Sequence, residues 1–201
     1  MTIIERKLSE KILIELLKNF SSENTITSLA SHMSVSRVGI WKALKKLETE
    51  DLIIVEKIGN GKTSTYRIKL NWKNDLTEKT LSFYLAQEAS EHKKWAWDFK
   101  ELETHVEFSI LFGSILSSPK IANDIDITNI VSNKKEFLEI EKILRSKQIA
   151  HIQKIHDINF TPKEFKAELI KPNKAFISAI KNGVILFGQQ NFVAFMKEIT
   201  I

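Results

Sequence analysis

The chain has 201 residues, 43% hydrophobic and 27% charged, a balance near the globular average that excludes a disordered or fibrous protein. It contains no cysteine, which excludes disulfide frameworks, thiolate metal sites and thiol nucleophiles. The formal charge of +5 is uneven, with 13 Lys and Arg against 9 Asp and Glu in residues 1–75 but 17 against 16 in residues 76–201. A modest basic excess on a small module fits contact with a polyanion, and fits a merely soluble surface as well. No stretch approaches the roughly 18 apolar residues of a membrane span, so a cytoplasmic protein without a membrane partner is expected.

Residues 8–20 place Ile12, Leu13, Leu16, Leu17 and Phe20 at the spacing of an amphipathic helix. Ser21-Ser22-Glu23-Asn24 interrupts it. Thr25 can cap a short second helix, Ile26 to about His32, packed through Ile26, Leu29 and Ala30. Ser34-Val35-Ser36 then turns into a third helix over residues 36–50, with Ile40, Leu44 and Leu47 inward. Two β-rich runs, residues 52–58 and 63–70, are joined by Gly59-Asn60-Gly61-Lys62, which has the composition of a hairpin turn. Three helices and a hairpin in this order predict a winged helix-turn-helix over residues 1–75.

In such a module the second helix of the pair enters the DNA major groove with its N-terminal residues on the bases. Ser36, Arg37, Trp41, Lys42 and Lys45 face away from the core stripe. Ser36 and Arg37 suit base edges, Lys42 and Lys45 suit phosphates, and Lys62 at the hairpin tip suits a phosphate or the minor groove. Trp41 either packs against the wing or rests on the sugar-phosphate backbone. The run from Ser34 to Glu48 resembles the winged helix-turn-helix of biotin-repressor-type and other prokaryotic regulators, which implies double-stranded DNA as partner. A winged helix can also serve purely for protein docking.

Residues 71–75 form a short polar boundary, and residues 77–102 read as one long helix with Leu81, Tyr84, Leu85, Ala89, Trp95, Trp97 and Phe99 as its stripe. A linking helix over residues 76–103 would couple the two domains or form a homodimer seam. Residues 104–201 then make an α/β domain. The apolar run 106–112 ends in Gly113-Ser114, and the next strand carries Asp124 and Asp126 at i and i+2, on one face. A helix over residues 134–147, a strand over 149–160, helices from Thr161-Pro162 and over 173–181, a short buried strand or turn at 184–188 and a last helix over 190–198 complete an α+β chain with a mixed sheet.

Gly113-Ser114, nine residues, then Asp124-Ile125-Asp126 resembles the signature of the polymerase-beta-like nucleotidyltransferase superfamily, in its small antitoxin-type branch. Thr161-Pro162-Lys163-Glu164-Phe165 and the segment from Asn182 to Gly188 resemble the tail of small prokaryotic, especially archaeal, members. The resemblance implies that Gly113 and Ser114 approach a nucleotide's phosphates and that Asp124 and Asp126 hold Mg²⁺ or Mn²⁺ against an NTP. Active members complete a two-metal site with a third carboxylate on a later strand. Asp157 is the candidate, though it is equally a solvated strand-end aspartate. Where the family often has an Arg-Gly pair, this chain offers Lys120 as the cation for the triphosphate.

The five histidines, His32, His92, His105, His151 and His156, show no zinc spacing, and His151 and His156 read as strand-surface residues. Two functions of different class follow. One is a DNA-tethered enzyme that transfers a nucleoside monophosphate from an NTP to an RNA or a toxin-like protein. The other is a transcriptional regulator whose degenerate nucleotidyltransferase-like domain senses a nucleotide or partner.

Overall fold

A computed structural model of the protein describes residues 7–59, 64–171 and 173–200. The chain divides into two compact units between Tyr84 and Leu85.

The first unit follows the expected order: α1 (Leu8–Lys18), α2 (Ile26–Met33), α3 (Arg37–Thr49), β1 (Ile53–Ile58) and β2 (Thr65–Leu70). Local chemistry sets its boundaries. Thr25 and Ser28 form a capping box at α2, the Thr25 hydroxyl accepting from Ser28 N at 3.1 Å and the Ser28 hydroxyl accepting from Thr25 N at 2.8 Å. Ser34 adopts a left-handed conformation (φ 55°) and closes α2, leaving a tight turn into α3. Leu13, Leu17, Leu29, Ile40, Leu44, Leu47 and Ile68 make the core. β1 and β2 pair antiparallel from Ile53↔Leu70 to Ile58↔Thr65, and Thr25 bridges to Arg67, so the wing is stitched to the start of α2. The unit is a winged helix-turn-helix. The expectation for Lys62 lies outside the described residues.

The single helix expected over residues 77–102 is three pieces: α4 (Asp75–Glu91), α5 (Lys93–Asp98) and a 3-10 turn (Lys100–Thr104). Ala89 and Trp95 are both buried in one core, yet six residues at about 100° each are not a whole number of turns. Both reach that core because the chain breaks at His92. Trp97 is left 81% exposed.

The second unit contains β3 (Phe108–Phe112), α6 (Ser114–Ser117), β4 (Asp124–Ile130), α7 (Glu136–Ala150), β5 (Lys154–Phe160), α8 (Pro162–Ile170), α9 (Lys174–Asn182), β6 (Val184–Phe187) and α10 (Gln189–Thr200). The sheet is mixed, in the order β5-β4-β3-β6: β3 runs antiparallel to β4 and β6, and β4 parallel to β5 through the crossover α7. One face packs Leu111, Ile125, Ile127 and Val131 with Trp95, Phe99, Ile140 and Leu144. The other is aromatic, with the Phe108 ring 5.4 Å from Phe192, 5.3 Å from Phe195 and 6.3 Å from Phe165.

The strand expected from residue 149 starts later, at Lys154, because α7 runs on to Ala150. Ile149 and Ile152 are exposed and supply no core face. Gln148 instead closes the turn, its Nε2 donating to His151 O and Gln153 O and its Oε1 accepting from Ile155 N. Among the described residues no helix is long and apolar enough to cross a membrane.

Candidate functional site

The start of α3 is the first candidate surface. The Ser36 hydroxyl accepts from Gly39 N at 3.1 Å and caps the helix, so its oxygen is engaged in holding the turn. Arg37 is exposed and Val38 is 65% exposed beside it, an unobstructed tip. Trp41 packs on the wing, its ring 5.5 Å from Tyr66 of β2. Lys45 lies over that indole at 4.8 Å and pairs with Glu48 at 2.8 Å, while Lys42 is exposed. A surface pair of this kind contributes roughly 0–1 kcal/mol, so a phosphate can compete for Lys45.

In the second unit the register decides what meets what. Phe112 pairs with Asp126 across β3 and β4, and the parallel pairing sets Asp124 beside Lys154 and Asp126 beside His156. Asp124, Asp126 and His156 therefore share the face whose interior is Phe108, Ile130 and Phe160, at its open end. His156 Nδ1 stands 3.5 Å from Asp126 Oδ1 and 3.9 Å from Asp124 Oδ2. All three can offer ligand atoms within 4.8 Å of one another. Partial burial, then the Asp124 charge, raises the Asp126 carboxyl above its ordinary value, with His156 acting the other way.

Gly113 has φ 84° and ψ −166°, a region open essentially to glycine alone, and a Cβ there would run into Asp126 Oδ2. The backbone after β3 thus lies directly against the carboxylate. Ser114 follows, exposed, at the start of α6. Lys120 is exposed in the turn before β4 and forms no ion pair with either aspartate among the described residues. Thr128, next on the Asp126 face, keeps a buried hydroxyl with no hydrogen-bond partner among the described residues.

Asp157 is not brought to this cluster. It pairs with Ile127, one residue out of phase, and so points to the opposite face. There it ends a polar ladder across three strands: Ser109 Oγ donates to Asn129 Oδ1 at 2.6 Å, Asn129 Nδ2 to Asn159 Oδ1 at 3.0 Å, and Asn159 Nδ2 to Asp157 Oδ2 at 2.7 Å. Of the two readings the sequence leaves open for Asp157, third ligand or solvated strand-surface aspartate, its position on the other face fits the second, while His156, still a surface residue at 46% side-chain exposure, is the one that stands beside Asp126. The signal was the period of two: whichever of the two neighbours faced Asp126, the other could not.

No family model matches the chain, and no curated protein matches it. Among solved structures, a cysteine-to-serine mutant of Lactococcus lactis ZitR is similar over 75% of this chain and 78% of its own, at 19% identity and a TM-score of 0.33. The adhesin competence repressor AdcR of Streptococcus pyogenes is similar over 71% and 79%, at 16% identity and a TM-score of 0.33. Overlaps this shallow carry no argument.

Proposed function

We propose that the protein is a DNA-binding transcriptional regulator whose C-terminal unit is a degenerate nucleotidyltransferase-like domain, binding a metal-held nucleotide without efficient transfer. The observation that carries the DNA reading is the unobstructed start of α3 in a winged helix-turn-helix, where Arg37 and Val38 project beside a capped helix N-terminus. Arg37 is the residue for a base edge, and Lys42 and Lys45 are the residues for phosphates. The basic excess of residues 1–75 supports the same partner.

Sensing rather than transfer is supported by the second unit's register. Asp124 and Asp126 beside Gly113 can hold one divalent ion with a nucleotide's phosphate oxygens, and Gly113 lets the backbone come close. A two-metal displacement needs enough carboxylate charge for a second ion, and Asp157 lies on the other face.

Selection of bound duplexes from a random library by the full chain tests this function. A defined preferred site is expected, and Arg37→Ala should reduce discrimination at one base pair by about 1–3 kcal/mol. In calorimetry, NTP binding should require a divalent ion and be lost in Asp124→Asn with Asp126→Asn. Label transfer from an NTP to a lysate component would instead support the transferase.

A further inference from the structure

The nucleotidyltransferase resemblance implies Mg²⁺, and the donor set of Asp124, Asp126 and His156 does not fit that ion. Mg²⁺ takes oxygen ligands in near-ideal octahedra, whereas imidazole nitrogen suits borderline first-row ions. We propose that Asp124, Asp126 and His156 form a site for one divalent transition ion of the Zn²⁺ or Co²⁺ kind, selected over Mg²⁺ by the His156 nitrogen. The proposal rests on reading this cluster as the ligand site of the second unit.

Three features carry it. First, the donors come from adjacent positions of two paired strands, and β-sheet pairing of Asp126 with His156 fixes their approach. Second, the spacing suits a small four-coordinate shell. Bonds of about 2.1 Å in a tetrahedron separate neighbouring donors by about 3.4 Å, against about 2.9 Å for cis donors around Mg²⁺. His156 Nδ1 is already 3.5 and 3.9 Å from the two carboxylates. Third, Gly113 admits the Asp126 carboxylate against the backbone, and among the described residues no lysine or arginine forms an ion pair with either aspartate, Lys154 standing beside Asp124 in the register without one. His156 and Asp124 are partly exposed, which leaves a fourth position open to water or to a phosphate oxygen.

The competing occupant is a proton: His156 as an imidazolium bridging two carboxylates. Titrating the metal-free full chain with Co²⁺ while recording the visible spectrum separates the two. One equivalent should bind with the intense bands of a four-coordinate ion, and a hundredfold excess of Mg²⁺ should not displace it. His156→Ala should weaken Co²⁺ at least tenfold and leave the melting temperature within a few degrees, since the ring is partly exposed. His156→Asp should erase the preference over Mg²⁺. Unchanged Co²⁺ affinity in His156→Ala, or displacement by equimolar Mg²⁺, would overturn the site. Duplex binding by the wild type separates the metal site from the regulator: a wild type that binds duplex but not Co²⁺ breaks only the metal site, and one that binds Co²⁺ but no duplex breaks only the regulator.

Discussion

His156 and Asp157 are chain neighbours on β5, yet one faces an acidic cluster and the other terminates an amide ladder. The difference is pure pairing phase: each strand residue presents to the opposite face from the next, so a parallel register of Asp126↔His156 sends Asp157 away. The two faces are built for different ends. The ladder face is satisfied internally, Ser109 and Asn129 being fully buried and bonded to each other, and it fixes the strands. On the Asp124 face, among the described residues, the side chain within ion-pair distance of both carboxylates is the His156 ring.

Breaking the ladder should have the largest effect on stability. Asn129→Ala strands the buried Ser109 hydroxyl and removes the donor to the half-buried Asn159 amide, and a buried group left unsatisfied costs about 1–3 kcal/mol. Denaturant unfolding should show a loss of about 3 kcal/mol. Next comes the other face: Gly113→Ala forces a side chain into a glycine-only conformation, at about 1–3 kcal/mol, and pushes Asp126 aside. That variant should lose divalent-ion binding as well, a loss that Asn129→Ala should not share if the faces are independent.

On the aromatic side, Thr161 and Glu164 form the capping box that starts α8. Thr161→Ala should cost about 1 kcal/mol in unfolding. Lys134, then the Thr161 backbone and hydroxyl, hold the Glu164 carboxyl down to about 2 from its usual 4.5. A depressed carboxylate stabilises the folded state fully above about 4.5, and that contribution falls away as pH drops towards about 2. Acid titration of Glu164→Gln should therefore show a smaller stability loss across this window than the wild type. The smallest effect belongs to Asp157→Ala, a surface change within about 0.5 kcal/mol that should leave metal and nucleotide binding intact. Loss of either on that substitution would contradict the register.

The winged unit was legible because its signals are local. Thr25, Ser34 and Ser36 mark the helix ends, and Ile40, Leu44 and Leu47 give the inward stripe with no reference to distant residues. The Gly113 turn and the Asp124 and Asp126 face were legible for the same reason. The phase of β5 was not, because it depends on an offset across the whole of α7, and slipping by one residue exchanges His156 with Asp157. The break at His92 did leave a trace: Ala89 and Trp95 cannot share a face of one helix. Hydrophobicity alone placed Ile149 and Ile152 in a strand, and their exposure shows that no neighbour needed them.

The central claim, that this chain is a DNA-binding regulator read out through α3, is tested most directly by fluorescence anisotropy of the full chain on labelled duplex across a salt series. The account predicts affinity that falls steeply and linearly on a log–log plot, with Lys42→Ala reducing the slope by about one unit and Asp124→Asn leaving it unchanged. The absence of salt-sensitive binding to any duplex, selected or genomic, would contradict it.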